Sequence, residues 1–180
     1  AQPVNVASVP QRSPFRYPGG KTWLTPWIRM WLGTKQRQPE TFVDAFAGGG
    51  SVSLTVACEN YCRRVIMVEI DEDVASVWRA ILGEDAHRLI QMIVEFDMSV
   101  ETAAHVISKS PTSDIGRAFQ TIVKNRVYHG GILAAGSGFL KHGENGKGVL
   151  SRWYPATLAR RIRDINAIRH KIKFIQGDAF

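Results

Sequence analysis

The sequence has few cysteines and no apolar run long enough to cross a membrane. Its two cysteines, Cys58 and Cys62, have no histidine or cysteine partner at metal-ligand spacing, so we expect reduced, partly buried thiols and neither a disulfide framework nor a zinc site. The first 14 residues lack the charged and apolar segments of a secretion signal. These absences predict a soluble, cytoplasmic protein that binds no metal and no membrane.

Two common nucleotide-binding patterns are also missing. The full Gly-x-x-x-x-Gly-Lys-Ser/Thr pattern of a P-loop is absent, and residues 19–21, Gly-Gly-Lys, follow a proline with no apolar strand before them. The glycine turn at residues 48–50 lacks the third, close-packing glycine of a dinucleotide-binding fingerprint. ATP hydrolysis and dinucleotide-dependent oxidation are therefore poor interpretations of this sequence.

What is present is enough apolar residues for a core and an uneven distribution of charge. With 180 residues, of which 44% are hydrophobic, the chain can form one compact domain with an insert. The net charge is +7, but residues 109–173 hold 13 Lys and Arg against 3 Asp and Glu. This asymmetry predicts either a surface that meets a polyanion or a solvated basic face, and charge alone does not decide between them.

The strongest local pattern is a strand, a glycine turn, a helix and a second strand between residues 41 and 70. Glycines at 48–50 allow the backbone to approach a ligand, and the helix that follows offers free N–H groups. Glu69 stands 19 positions after Gly50, at the end of the second strand, where a carboxylate can accept hydrogen bonds from ribose hydroxyls. The pair indicates a nucleoside-bearing cofactor, with a purely structural turn as the alternative.

The rest of the chain is predicted to be mostly helical. The spacing of Trp23, Trp27 and Trp31 predicts a first helix ending at Gly33, and Asp71 is a plausible N-cap for a helix that follows the second strand. Further helices are predicted around residues 86–94, 100–107, 115–123 and 154–169, with a glycine-rich mobile loop at 129–148 and a third strand at 171–176.

These elements predict an α/β fold with a mainly parallel, Rossmann-like sheet and a helical, basic insert between the second and third strands. We expect a flexible tail at residues 1–14, a cofactor-binding core at 15–94 and 170–180, and a helical, glycine-rich, DNA-binding insert at 95–169.

Three segments in this order resemble the motifs of Dam-type, or D12 class, DNA adenine-N6 methyltransferases. They are residues 16–21, Arg-Tyr-Pro-Gly-Gly-Lys; residues 44–51, Asp-Ala-Phe-Ala-Gly-Gly-Gly-Ser; and residues 68–71, Val-Glu-Ile-Asp. The resemblance covers residues 15–78 and, more loosely, 119–180. It implies transfer of a methyl group from S-adenosylmethionine to an adenine that is flipped out of double-stranded DNA.

The resemblance also implies a role for each cofactor-site residue. Tyr17 and Lys21 would lie near the methionine end of the cofactor or the target base, Glu69 would hold the ribose, and Ile70 and Asp178 would contact or approach the adenine. For Lys21 and Asp178, a surface charge and a strand-end cap are the structural alternatives. The expected cofactor residues are Tyr17, Gly20, Lys21, Asp44, Phe46, Ala47, Gly48, Gly49, Gly50, Ser51, Glu69, Ile70, Asp178 and Phe180.

For DNA, basic and amide side chains of the insert are the candidates, because they pair with phosphates or reach base edges. The helix that bears Arg160, Arg161 and Arg163 is a second candidate, and a solvated face is the alternative for each arginine taken singly. We expect a monomer. The candidate DNA-binding residues are Lys124, Asn125, Arg126, Lys141, His142, Lys147 and Arg152.

The resemblance does not extend to catalysis, because the family's Asp-Pro-Pro-Tyr motif, or a close variant, is absent and no Pro-Pro occurs anywhere in the chain. The catalytic residues are therefore unknown, and we expect a fragment that stops before the motif and is inactive alone. A catalytically inactive DNA-binding module on a methyltransferase scaffold is the second hypothesis. A methyltransferase of RNA or small molecules is a third, although it does not account for residues 17–21.

Overall fold

The computed structural model describes residues 6–16, 20–131, 133, 136–140 and 146–180. Within these residues the chain has a mixed α/β architecture with a three-stranded parallel sheet, β1 (Thr41–Asp44), β2 (Arg64–Glu69) and β3 (Ile172–Gln176), in the order β1-β2-β3. The helices are α1 (Thr25–Gly33), α2 (Ser51–Cys58), α3 (Glu72–Leu82), α4 (Ala86–Glu95), α5 (Val100–Ser108), α6 (Asp114–Val127) and α7 (Pro155–Ala167).

The sheet forms as the apolar runs predicted. β1, α2 and β2 make the expected βαβ unit, with Phe42 beside Val65 and Val65 beside Ile172 in the register. Residues that share a register row lie on the same face of the sheet, and this row faces the helices, with Val65 fully buried. On the opposite face Val43 is 56% exposed. α2 and α3 pack on the strands and cover this face of the sheet.

The helices between β2 and β3 share one hydrophobic core with the rest of the domain. Asp71 caps α3 as predicted, accepting a hydrogen bond from the Val74 amide at 2.9 Å. α6 packs on α3 and α7 packs on α4, and Trp78, Ile122 and Ile162 are fully buried in the same cluster. The region at 95–169 is thus packed into the domain and is not a separate unit.

Two parts of the N-terminal region differ from the expectation. α1 forms, but its tryptophans face outward, with Trp27 43% and Trp31 50% exposed, because α1 packs on α2 through its other side. Residues 9–14, expected to be tail, lie against the domain: Val9 is buried, and the Arg12 guanidinium donates to the Glu59 carboxylate at 3.0 Å. Helical spacing predicted the helix but not which side would be covered.

An ion pair between Arg79 and Asp114 joins α3 to α6 and makes stability depend on pH. The Arg79 Nε donates to the Asp114 carboxylate at 2.8 Å, and this bond holds the pKa of Asp114 below its usual value. Because the folded pKa is lowered, the stabilisation is present above a pH of about 4 and is lost as pH falls through the folded pKa. Asp114→Asn should lower the free energy of unfolding by about 0.5 kcal/mol at pH 7, after allowance for solvent screening.

Urea unfolding at pH 7 and pH 2.5 measures this effect. Asp164→Asn is the matched control, since its pair with Arg160 spans 3.9 Å and both side chains are about two-thirds exposed. The control should change stability little at either pH. A deficit in Asp114→Asn that is equally large at pH 2.5 would show that the charge of Asp114 is not its cause.

Candidate functional site

A cleft of about 350 Å³ lies at the carboxyl ends of the three strands. Parallel strands bring these ends to the same edge of a sheet, which is where α/β proteins bind ligands. Residues from the segment before α1, from the glycine turn and from the ends of β2 and β3 line the cleft: Gly20, Lys21, Ala45, Phe46, Ala47, Gly48, Gly49, Gly50, Ser51, Val68, Glu69, Ile70, Gly177, Asp178 and Ala179.

The glycine turn is held in place by a buried tryptophan. Gly50 has a φ of +71°, and a Cβ added there would lie 2.7 Å from the Trp78 ring, so this position requires glycine. The Trp78 Nε1 donates to the Gly48 carbonyl at 2.9 Å, and the Trp78 side chain is fully buried. The turn is therefore rigid, and its backbone forms one wall of the cleft.

Glu69 is fixed by two backbone amides at the end of β2. The Gly48 amide donates to Glu69 Oε2 at 2.8 Å and the Asp71 amide donates to Glu69 Oε1 at 2.9 Å. Each carboxylate oxygen can accept more than one hydrogen bond, so both retain acceptor capacity. The Glu69 carboxylate is thus held in a fixed orientation, with both oxygens able to accept further hydrogen bonds. It also links the glycine turn to the start of α3.

Lys21 belongs to an internal charge network beneath the cleft. Its ammonium group forms an ion pair with Asp44 and donates to the Phe46 carbonyl. The other oxygen of Asp44 accepts from the Ser53 hydroxyl at 2.7 Å, and Asp44 is buried. The network connects the segment before α1 to the glycine turn.

Apolar side chains stand exposed around the cleft. Phe46 is 61% exposed, Ile70 is 64% exposed, and the Phe180 ring lies 5.6 Å from that of Phe46. On the other side, the N-terminus of α2 at Ser51 has no side-chain cap, so its first amides attract negative charge. The cleft can hold a flat apolar ring, a group with paired hydroxyls and an anionic tail.

The family model of the D12 class N6 adenine-specific DNA methyltransferases matches residues 17–108, which is half of the chain. The chain belongs to this D12 class. No curated protein sequence matches it. The match includes the glycine turn, Glu69 and the residues before α1, so the cleft lies largely within the part of the chain that identifies the family.

The described part of this D12 chain shows no group of three or more His, Cys, Asp or Glu side chains placed to hold a metal ion. In the same residues, no helix is both long and apolar enough to cross a membrane. The cleft at the strand ends is therefore the candidate ligand site among the described residues.

Most of the predicted cofactor residues line the cleft. Asp44 lies behind it as the partner of Lys21, Phe180 contacts Phe46, and Tyr17 falls outside the described residues. The predicted set left out Ala45, Val68, Gly177 and Ala179, which also line the cleft. Ala45 and Val68 lie within the motifs at 44–51 and 68–71, and Gly177 and Ala179 flank Asp178, so their neighbours were the available signal.

Two of the predicted DNA-binding residues are buried. Asn125 is fully buried, and its amide nitrogen donates to the Arg16 carbonyl at 2.9 Å and to the Gly131 carbonyl at 3.0 Å, while its oxygen accepts from the Arg16 amide at 2.8 Å. Arg126 is only 5% exposed. The amide of Asn125 is used within the protein, so contact of Asn125 or Arg126 with a base edge does not fit this structure.

The remaining basic candidates differ in their surroundings. Lys124 lies 3.4 Å from Asp73 in an ion pair, Lys147 is exposed and Arg152 is half-buried. On α7, Arg160 and Arg163 are exposed and Arg161 is half-buried. The predictions for Lys141 and His142 fall outside the described residues.

The Lys21 network yields a test of stability. Lys21→Met should lower the free energy of unfolding by about 2 kcal/mol, because it leaves the buried Asp44 carboxylate without its cation while Lys21 itself is partly exposed. Adding Asp44→Asn to Lys21→Met should recover part of the loss, since the unpaired charge is then gone.

Chemical unfolding of the two single variants and the double variant measures the coupling. Lys35→Met is the control, because the Lys35 ammonium lies over the Trp31 ring at the surface, where such a contact contributes about 0.5 kcal/mol. A loss in Lys21→Met no larger than in Lys35→Met would contradict the role given to the Lys21–Asp44 pair.

Proposed function

We propose that the cleft binds S-adenosylmethionine and that this chain takes part in methylation of adenine N6 in double-stranded DNA on a Rossmann-like scaffold. The observation that carries the proposal is the carboxylate of Glu69, held by the Gly48 and Asp71 amides at the mouth of a rigid glycine turn. A fixed carboxylate at the end of the second strand is suited to accept hydrogen bonds from both hydroxyls of a ribose.

The other walls of the cleft suit the remaining parts of this cofactor. Phe46 and Ile70 offer exposed apolar surface to an adenine ring, and Asp178 at the end of β3 lines the same cleft. The uncapped start of α2 and the Lys21 network lie where a methionine carboxylate would be attracted. When bound, the cofactor would supply an activated methyl group on a sulfonium.

Catalysis needs groups that hold the exocyclic amine of the target adenine in line with that methyl. The family does this with an Asp-Pro-Pro-Tyr tetrapeptide, which does not occur in these 180 residues. We therefore propose that these residues by themselves bind the cofactor and DNA but do not transfer methyl groups. Their contribution is to bind and orient the cofactor.

For DNA, the proposal places contact on the basic surface of residues 95–169. Lys147, Arg160 and Arg163 are exposed and can reach backbone phosphates. Lys141, His142 and Arg152 remain proposed contacts, whereas Lys124 is paired with Asp73, and Asn125 and Arg126 are buried.

Calorimetric titration of the chain with S-adenosylmethionine, and then with duplex DNA and with structured RNA, tests the proposal. We expect micromolar or weaker cofactor binding, tighter binding to the duplex than to RNA, and no methylated adenine. Duplex binding without cofactor binding would instead favour an inactive DNA-binding module. Preference for RNA would contradict the DNA assignment, and methylated adenine would contradict the predicted inactivity.

A further inference from the structure

A second cleft, of about 540 Å³, adjoins the first and shares Gly20 and Ser51 with it. It is formed where the segment at 11–16 passes between the end of α6 and the start of α7. Its described lining is rich in cations and hydroxyls and contains no Asp or Glu: Gln11, Ser13, Phe15, Arg16, Gly20, Thr22, Ser51, Arg126, Gly130, Tyr154, Thr157, Leu158 and Arg161.

Two arginines in this cleft are anchored but not fully satisfied. The Arg126 side chain donates to the Pro14 carbonyl, and Arg161 Nη1 donates to the Ser13 carbonyl at 2.9 Å. The Nε atoms of both are buried and have no hydrogen-bond partner among the described residues. An unsatisfied donor in a buried guanidinium is costly, and native proteins rarely retain one without a reason.

The electrostatics of the cleft favour an anion. Neither Arg126 nor Arg161 forms an ion pair with a carboxylate in the described part of the chain, and Arg126 is 95% buried. Burial, reinforced by the positive charges of Arg161, Arg16 and Arg152, lowers the pKa of Arg126 to about 9. Arg126 and Arg161, two cations in one cleft without a carboxylate partner among the described residues, are stabilised when an anion enters.

We propose that this second cleft binds a phosphate group through the guanidinium groups of Arg126 and Arg161. Arginine forks match the oxygen geometry of phosphate, and two of them supply several donors to one tetrahedral anion. The carbonyl anchors at Ser13 and Pro14 orient the two side chains in advance. The phosphate would come either from the DNA backbone or from free phosphate in solution.

The DNA source rests on the proposed function, whereas phosphate binding itself does not. Because the two clefts adjoin at Gly20 and Ser51, a DNA phosphate bound here would lie beside the proposed cofactor site. The guanidinium groups of Arg126 and Arg161 would then fix the position of one DNA phosphate, while exposed Lys and Arg side chains contact other phosphates of the DNA at the protein surface. Burial of Arg126 is thus compatible with a role in DNA binding that does not involve base edges.

The first test uses inorganic phosphate and thermal unfolding of the full chain. At equal ionic strength, phosphate should raise the melting temperature over chloride by about 2–4 °C. The increment should disappear in Arg126→Met and in Arg161→Met, and it should persist in Arg63→Met, which removes an exposed arginine outside the second cleft. If Arg126→Met does not fold, the half-buried Arg161 still supplies the test.

The second test measures binding of a duplex by fluorescence anisotropy over a range of salt concentrations, together with calorimetry of S-adenosylmethionine. If the phosphate belongs to DNA, Arg161→Met should bind the duplex roughly ten-fold less tightly than Arg63→Met does, with a smaller salt dependence. If duplex affinity is unchanged but the phosphate increment is lost, the site takes free phosphate.

Three results would overturn the proposal. The first is no phosphate increment in the wild-type chain. The second is an equal loss in Arg63→Met, which would mean general charge screening. The third is an Arg161→Met variant that loses only affinity for S-adenosylmethionine, which would assign the arginines to the cofactor's carboxylate. Failure of the wild-type chain to bind the cofactor or DNA would count against the proposed function and leave the phosphate measurement standing.

Discussion

Replacing Glu69 with alanine is expected to weaken S-adenosylmethionine binding by about 100-fold or more. Two charge-assisted hydrogen bonds to a ribose contribute about 1.5–3 kcal/mol each, and each 1.4 kcal/mol corresponds to a factor of ten. The change also removes the acceptor of the Gly48 and Asp71 amides, so the glycine turn loses the brace that orients it. Both effects act on the same ligand.

Calorimetric titration of wild type and Glu69→Ala measures the loss, with circular dichroism to confirm folding. Glu72→Ala is the control, since its exposed side chain lies three positions further along and its ion pair in the described part of the chain is with Arg117, at 3.5 Å. Comparing adenosine with 2′-deoxyadenosine separates the two effects, because the variant should no longer distinguish them. Unchanged cofactor affinity in Glu69→Ala would remove the main support for the proposed cofactor.

Gly50→Ala is expected to destabilise the domain by about 2–4 kcal/mol, the sum of backbone strain and overpacking. The new Cβ would lie 2.7 Å and 2.8 Å from two atoms of the Trp78 ring at a φ of +71°. Trp78 cannot retreat, because it is fully buried and its indole nitrogen is bonded to Gly48. The glycine turn must therefore shift, and cofactor affinity should fall with stability.

Urea unfolding compares this variant with Gly33→Ala. Nothing lies within 4 Å of a Cβ at Gly33, which ends α1, so alanine there should leave stability unchanged or raise it by up to about 1 kcal/mol. If alanine lowers the free energy of unfolding at position 50 and raises it at position 33, the location of the glycine, and not the loss of a glycine as such, determines the change in stability. A Gly50→Ala variant as stable as wild type would contradict the packing described for the turn.

The cleft at the strand ends could be predicted well because its determinants are local. The strand, the glycine turn, the helix and the second strand each follow from short patterns, and parallel strands bring their carboxyl ends together without further information. Spacing alone predicted Glu69 at the end of the second strand, and the structure adds its hydrogen bond from the Gly48 amide. The Lys21–Asp44 pair was less accessible, because it joins two segments that no local pattern connects.

In the basic region, local sequence patterns did not predict which side chains are exposed. Counting charges left both an anion-binding surface and a solvated basic face open, and the sequence could not distinguish Lys147, which is exposed, from Asn125 and Arg126, which are buried. That difference depends on which side of α6 meets the N-terminal segment. The same limit applies to α1, whose tryptophan spacing predicted a helix but not its outward-facing side.

The sequence by itself determined the family, the order of helices and strands and most of the lining of the cleft at the strand ends, because ordered motifs, hydrophobic periodicity, caps and glycine turns act over a few residues. Only the tertiary structure brought Arg16, Arg126, Arg152 and Arg161 together, from segments up to 145 positions apart. Burial and like-charge proximity arise from packing between distant segments, and no spacing rule along the chain encodes them.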